Sequence, residues 1–226
     1  MNDLQFLAPF FAQKRILLLV SASISVYKIL DVISMLTKFG AQVKVAMSKE
    51  STALINPTLF EAISKNIVLH QDSQSWADTD TSNHISYAKW AEVVLIAPAT
   101  ANTIAKLACG IADDIILCTA LASDAPKLIA PAMNTAMLNA PQTQENLAKL
   151  KKLGFGIIEP RISLLACGEY GKGALAQHHD IIFALAQLFI EMGVFYNTSF
   201  WHSKEVIITG GGSKENIDSV RVLGNL

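Results

Sequence analysis

The sequence predicts an α/β fold, a single domain built on a doubly wound parallel sheet with helices on both faces. Short apolar, β-branched runs alternate along the chain with longer segments of helical period. The clearest run, residues 93–97, is apolar at every position, which is typical of a strand covered on both sides in a parallel sheet. No low-complexity linker interrupts this alternation before Gly193.

The individual elements follow from the same patterns. The first strand is predicted at 15–20, and a helix at 24–39 ends at Gly40, a residue suited to a helix C-terminus. We expect Pro98 to end the strand before it, and Asp113 and Asp114 to cap a helix. The remaining predicted elements are strands at 41–47, 93–97 and 128–130 and helices at 104–108 and 181–192.

Composition excludes several kinds of partner. Charged residues make up only 16% of the 226, against about 25% in an average domain, so we expect other subunits to cover part of the surface. The balance of 18 basic and 19 acidic residues gives no electrostatic case for nucleic acid. Three scattered cysteines suggest neither a disulfide framework nor a metal site, and no apolar run reaches the roughly 20 residues that span a bilayer. We therefore expect a cytoplasmic protein without nucleic-acid, membrane or metal partners.

A polar turn follows the strand at 93–97. Thr100, Asn102 and Thr103 supply hydroxyl and amide groups where this strand passes into a helix. Ligands of open α/β sheets bind outside the carboxyl ends of the strands, where helix N-termini favour anions. By itself the turn is open to a simpler interpretation, in which Thr100 and Asn102 only cap the helix.

The longer segment 84–117, HISYAKWAEVVLIAPATANTIAKLACGIADDIIL, resembles the family of flavin-dependent cysteine decarboxylases. The family segment reads approximately HIxLxxWAD, an apolar strand, and APATANTIAKxAxGIADD, with light departures here at Tyr87 and Glu92. The resemblance implies a Rossmann-like (flavodoxin-like) fold and FMN as cofactor. It also implies decarboxylation of 4′-phosphopantothenoylcysteine to 4′-phosphopantetheine in coenzyme A biosynthesis.

Two further turns carry the flavin part of the resemblance. SASISVYK, residues 21–28, corresponds to a family motif Gly-Ser-Ile-Ala-Ala-Tyr-Lys, with Ala22 in place of the glycine. Ser48 follows the second strand, where the family places a Thr or Ser at the FMN phosphate. The FMN contacts implied by the resemblance are Ala22, Ser23, Ile24, Ser48, Thr100, Ala101, Asn102 and Thr103.

PAMN, residues 131–134, resembles the substrate motif PxMNxxMW of the same family. The match extends through Met137, but Leu138 stands where tryptophan is expected. An Asn side chain donates two hydrogen bonds and can orient a carboxylate or amide without adding charge. The implied substrate contacts are Ala132, Met133, Asn134 and Met137.

LACGEYGKG, residues 165–173, resembles the mobile flap of the family, which carries a catalytic cysteine at the position of Cys167. The family flap continues GRMxEP, whereas residues 174–178 here lack the Arg, Glu and Pro. The resemblance implies that flavin oxidises the thiol-bearing carbon of the substrate, CO2 leaves, and the enethiolate is then reduced. His84 would be the base, Asn102 and Asn134 would hold the substrate, and Cys167 would protonate the enethiolate.

The last part of the chain resembles a second family. Residues 204–226 are similar to the opening of the phosphopantothenate–cysteine ligases, with Ser213 in place of Thr. We expect a decarboxylase domain at 1–192, a linker at 193–203 and a truncated ligase start at 204–226. About twenty residues cannot form a nucleotide-binding domain, so no ligase activity is expected.

The resemblance also implies a homotrimer assembled into a homododecamer, with FMN at subunit contacts. Two other functions stay open on this scaffold. A non-catalytic flavin-binding regulatory subunit would commonly lack the His or the Cys, and both are present here. A flavin prenyltransferase would have a Gly-Ala-Ser-Gly opening and neither the LACG nor the PAMN motif.

Overall fold

The computed structural model describes residues 4–70 and 84–193, together with the backbone of two short strands near the C-terminus. The chain divides into two compact units, residues 1–192 and 193–226. The strands of the first unit are β1 (Arg15–Val20), β2 (Gln42–Met47), β3 (Val68–His70), β4 (Val93–Ala99), β5 (Lys127–Pro131), β6 (Gly156–Ile157), β7 (Arg161–Leu164) and β8 (Tyr170–Ala174).

Its helices surround these strands. They are α1 (Ile29–Lys38), α2 (Lys49–Leu54), α3 (Pro57–Ser64), α4 (His84–Trp90), α5 (Ala101–Cys109), α6 (Ile115–Ala122), α7 (Thr135–Asn139), α8 (Pro141–Lys152) and α9 (His178–Glu191), with 3₁₀ helices at Gln5–Phe10 and Ile24–Lys28. On one face α1 packs against α3 and α9, and on the other α5 packs against α6 and α8. This confirms the predicted α/β fold with helices on both faces.

Six strands form one sheet in the order β3-β2-β1-β4-β5-β6, and all neighbours are parallel. The chain reverses its direction of travel across the sheet between β1 and β4. In a Rossmann-like sheet of this order, ligands bind at such a switch point, outside the carboxyl ends of the strands. β4 lies at the centre and is buried along its whole length, as its apolar sequence predicts.

Several predicted bounds are corrected. β1 occupies residues 15–20 as predicted, but β4 continues past Pro98 to Ala99. A shift of register between Ile96 and Ala99 takes the proline out of the regular ladder, which is where a strand tolerates it. The predicted helix 24–39 is divided into a 3₁₀ turn and α1, while α5 begins three residues earlier than predicted because Thr100 caps it.

The second unit contributes two antiparallel strands, β9 (Lys214–Asn216) and β10 (Val222–Gly224). The sequence also predicts a strand at 205–209, which lies outside the described residues, and the boundaries at 193–203 and 204–226 stay predictions. Over the part of the chain that the structure describes, none of the helices has the length and apolarity to cross a membrane.

Candidate active site

A buried serine joins the two turns at the switch point. Ser21 follows β1 and is 2% exposed. Its hydroxyl donates to the Pro98 carbonyl at 2.7 Å and accepts the Thr100 N–H at 3.1 Å. Because Ser21 and Pro98 are buried and Thr100 is half-buried, this pair of hydrogen bonds fixes the turn after β4 against the turn after β1.

Three further hydroxyls cap the helical segments that start at this edge. Thr100 Oγ1 accepts the Thr103 N–H at 3.2 Å at the start of α5. Ser48, only 3% exposed, accepts the Ser51 N–H at 3.2 Å at the start of α2. Ser23 accepts a backbone N–H at 3.4 Å in the 3₁₀ turn. Thr100 therefore does cap a helix, as the simpler interpretation has it. The three caps place hydroxyls and helix N-termini together at the carboxyl edge of the sheet.

Ala22 occupies the position at which the related motif carries glycine. It is half-buried, and the described non-glycine residues with positive φ are only Gln13 and Lys65. The backbone at Ala22 therefore needs no glycine to adopt its conformation.

Asn134 follows β5 and caps α7. Its side-chain Oδ1 accepts the Met137 N–H at 2.8 Å. This bond orients the exposed amide group and leaves the two Nδ2 hydrogens to donate elsewhere. Leu138, in place of the expected tryptophan, is 4% exposed and belongs to the hydrophobic core.

The β7–β8 hairpin carries Cys167 in its exposed turn. The Cys167 thiol donates to Glu169 Oε2 at 3.7 Å. The hairpin is held on the Asn134 turn by the Met133 N–H, which donates to the Gly173 carbonyl at 3.0 Å. Gly173 has φ +147°, and a Cβ atom there would collide with the Met133 carbonyl oxygen. Glycine is thus required for this close approach of the two backbones.

A cavity of about 450 Å³ lies between these elements, within the size range of small-molecule sites. The predicted site residues that line it are Ser23, Ile24, Ala132, Met133, Asn134 and Cys167. Of the described residues, those predicted for the site but outside its lining are Ala22, Ser48, His84, Thr100, Ala101, Asn102, Thr103 and Met137. The structure therefore brings together three of the predicted motifs, from the β1 turn, the β5 turn and the hairpin.

His84 and Asn102 lie elsewhere on the carboxyl side of the sheet. His84 is the first residue of α4 and is half-buried. Asn102 is exposed in the first turn of α5, which starts beside the turn that Ser21 fixes. Within this single chain neither side chain reaches the lining of the cavity.

Among the cavity residues that sequence reasoning did not identify, one is charged. Lys28 lines the cavity, and it is the only charged side chain of the described lining. The signal was present, since Lys28 closes the motif SASISVYK, but no role was given to it. Its charge makes the cavity suitable for an anionic ligand.

The expected pair of aspartate caps is half correct. Asp114 Oδ1 accepts the Leu117 N–H at 2.8 Å and caps α6, and burial raises the pKa of its carboxyl. Asp113 instead pairs with Lys106 at 2.7 Å, and this hydrogen bond raises the pKa of the lysine. Among the residues that the structure describes, no cluster of His, Cys, Asp and Glu is placed to hold a metal ion.

Comparison with known proteins identifies relatives with similar sequences over most of this chain. A Probable phosphopantothenoylcysteine decarboxylase of Streptococcus mutans is 47% identical over 171 residues, which are 75% of this chain and 95% of the relative. The Coenzyme A biosynthesis bifunctional protein CoaBC of Bacillus subtilis is 39% identical over 212 residues, which are 94% of this chain. The chain spans about half (51%) of that bifunctional relative.

A solved structure has the same fold. The FMN-dependent cysteine decarboxylase SpaF superposes with a TM-score of 0.69 at 32% identity, covering 81% of this chain and 99% of SpaF. The model of the Flavoprotein family matches residues 11–190. This range contains the whole six-stranded sheet and all the described residues that line the cavity. The chain belongs to the Flavoprotein family.

Proposed function

We propose that this protein catalyses the FMN-dependent decarboxylation of 4′-phosphopantothenoylcysteine to 4′-phosphopantetheine, a step of coenzyme A biosynthesis. The observation that carries the proposal is the cavity at the carboxyl edge of the sheet, where Ser23, Asn134 and Cys167 meet. Relatives named for this reaction and an FMN-dependent cysteine decarboxylase of the same fold support it.

The residues present fit FMN. The turns after β1, β2 and β4 offer neutral hydroxyls and helix N-termini, which suit a phosphate and the polar edge of a flavin. The groups that would hold it are Ala22, Ser23, Ile24, Ser48, Thr100, Ala101, Asn102 and Thr103. When bound, FMN supplies the electron sink that loss of CO2 from a cysteine carboxylate requires.

The substrate is held mainly by the turn after β5. The Asn134 amide, oriented by its bond to the Met137 N–H, donates to the substrate carboxylate or amide. Ala132 and Met133 form the adjoining wall. Met137 contributes its backbone to this arrangement, and Asn102 adds a second amide from α5.

Two residues move protons in this proposal. His84 accepts a proton in the oxidative half of the reaction, a role for which imidazole is suited near neutral pH. Cys167 returns a proton to the enethiolate. Its thiol already acts as a hydrogen-bond donor toward Glu169, and its position on a glycine-rich hairpin allows it to approach the bound substrate.

A homo-oligomer completes the site, and we propose a homotrimer assembled into a homododecamer. His84 and Asn102 lie outside the cavity of one chain, so a neighbouring subunit that covers this edge would bring the groups together. We also propose a cytoplasmic location, which accords with three free cysteines. Residues 1–192 then form the decarboxylase domain, 193–203 a linker and 204–226 the start of a ligase domain.

The proposal is tested by CO2 release from 4′-phosphopantothenoylcysteine, with the FMN-loaded protein and its His84→Asn variant. We expect the variant to keep its flavin and to lose CO2 release by about 10²- to 10⁴-fold, the usual contribution of a general base. His179→Asn is the matched control, because His179 lies at the start of α9 and outside the lining of the cavity. Absence of CO2 release by the wild-type protein, or full activity of His84→Asn, would contradict the proposal.

A further inference from the structure

A second cavity of about 300 Å³ adjoins the one that contains Asn134 and Cys167. The two cavities share Tyr27, Lys28 and Leu175 in their linings. The second cavity therefore lies next to the first, at the end of the hairpin opposite the Cys167 turn.

Positive charge predominates in this second cavity. Lys28 and Arg161 line it, and Asp31 is the acidic side chain of its described lining. Arg161 Nε donates to the Leu175 carbonyl at 3.2 Å, which fixes the guanidinium and leaves its other N–H groups to bind a ligand. A guanidinium fork of this kind matches the oxygens of a phosphate.

The start of α9 adds to the positive electrostatic potential in this cavity. Gln177, the N-cap of this 14-residue helix, and His178, its first residue, line the same cavity. The N-terminus of a helix carries partial positive charge from its unsatisfied N–H groups. Asp180 lies in the same turn and accepts the Gln177 N–H at 3.2 Å, so it offsets part of this effect but leaves both side-chain cations in place.

We propose that the second cavity binds the phosphate monoester end of the substrate, with Arg161 and Lys28 as the residues that select for it. This inference rests on the proposed function, which places the cysteine end of the same molecule beside Asn134 and Cys167. The phosphate of FMN has the same chemistry, but its expected partners lie at the starts of α2 and α5. Arg161 is therefore a specificity-determining residue of the substrate site.

The test is the preference of the FMN-loaded protein for 4′-phosphopantothenoylcysteine over pantothenoylcysteine, taken as the ratio of the two kcat/KM values. In Arg161→Gln we expect this ratio to fall at least about tenfold, the loss of one charged hydrogen bond of the order of 1.4 kcal/mol or more. Lys172→Gln is the matched control, because Lys172 is a cation of the same hairpin that pairs with Glu159 at 2.8 Å outside this cavity. It should keep the wild-type ratio.

Binding measurements separate this inference from the proposed function. If the wild-type protein acts on neither substrate, the proposed function fails, and calorimetric titration with 4′-phosphopantetheine and with pantetheine measures the same preference. An unchanged ratio in Arg161→Gln, by either measurement, overturns the inference. Weaker FMN binding by this variant with an unchanged substrate ratio would assign the cavity to the flavin phosphate and also overturn it.

Discussion

The turns at the switch point and the β7–β8 hairpin hold their polar groups in different ways. Ser21, Ser48 and Thr103 are buried, and their hydroxyls are engaged in hydrogen bonds to neighbouring backbone or side chains. The hairpin turn is exposed, with Cys167 at its end and Tyr170 77% exposed beside it. A rigid edge suits the permanent binding of a cofactor, whereas an exposed hairpin suits a group that must approach and leave the substrate.

Cys167→Ser should show the largest effect, on activity alone. Formation of 4′-phosphopantetheine should fall by about 10²- to 10⁴-fold, and the oxidised enethiol product should accumulate. The free energy of unfolding should stay within about 0.5 kcal/mol of wild type because the side chain is exposed. Mass spectrometry of the products and denaturant unfolding measure the two quantities.

Cys109→Ser provides the control for that experiment, since Cys109 is an exposed cysteine at the end of α5. It should leave both quantities unchanged. Normal 4′-phosphopantetheine formation by Cys167→Ser would remove the role given to this thiol.

Ser21→Ala should have the opposite profile, with a loss of stability. The substitution leaves the Pro98 carbonyl and the Thr100 N–H without their buried partner, at a cost of about 1–3 kcal/mol in the free energy of unfolding. Binding of FMN should weaken as well, because the turn after β4 loses its fixed position. Urea unfolding and flavin titration check both, with the exposed Thr58→Ala as control. A variant as stable as wild type would show that this edge is not held by Ser21.

Gly171→Ala tests how the hairpin is docked. A Cβ atom at this position would collide with Thr135 Oγ1, a buried hydroxyl without a hydrogen-bond partner among the described residues. Overpacking of this kind costs about 1–3 kcal/mol. Because this cost weakens docking of the hairpin that carries Cys167, we expect kcat to fall at least about fivefold with FMN affinity unchanged. The double variant Gly171→Ala/Thr135→Ala removes the colliding atom and should recover activity. Equal losses in the single and double variants would contradict this account.

The smallest expected effect depends on pH. Lys172 of β8 donates to Glu159 at 2.8 Å, and this bond lowers the pKa of the carboxyl below its ordinary 4.5. Because the folded-state pKa is the lower one, the stabilisation is present above pH 4.5 and is lost as the pH falls through the folded-state value. The pair is exposed, so its contribution is below about 1 kcal/mol. Thermal unfolding of wild type and Glu159→Gln should differ at neutral pH and converge in acid; a constant difference would contradict the assignment.

The two regions also differ in how far the sequence predicts them. β1 and the centre of β4 were predictable because apolar, β-branched runs have few alternatives to a buried strand. The continuation of β4 through Pro98 was not, because it depends on a change of register against β5 that no local pattern records. Likewise, Thr100 gives a visible capping signal, but its bond to Ser21 joins positions far apart in the chain.

Within the candidate site, resemblance identified the motifs but not their grouping. Asn134 and Cys167 share a cavity because Gly173 lets the hairpin bond directly to Met133, a contact between distant parts of the sequence. Lys28 closes the motif SASISVYK, but its place in a cavity depends on the fold, and Arg161 belongs to no motif. Both residue types are usually solvent-exposed, so neither stands out in the sequence alone. Their relation appears only when the 3₁₀ turn and β7 are seen to line one cavity.

Titration of the flavin-free protein with FMN, followed by visible absorption, shows whether the carboxyl edge of the sheet is a flavin site. We expect saturable binding that is complete at an equimolar amount of FMN, with a change in the shape of the flavin band as the ring leaves water. We also expect weaker binding by Ser21→Ala and unchanged binding by Cys167→Ser. A wild-type protein that stays colourless after the titration and removal of free FMN would contradict the assignment of this edge as a flavin site.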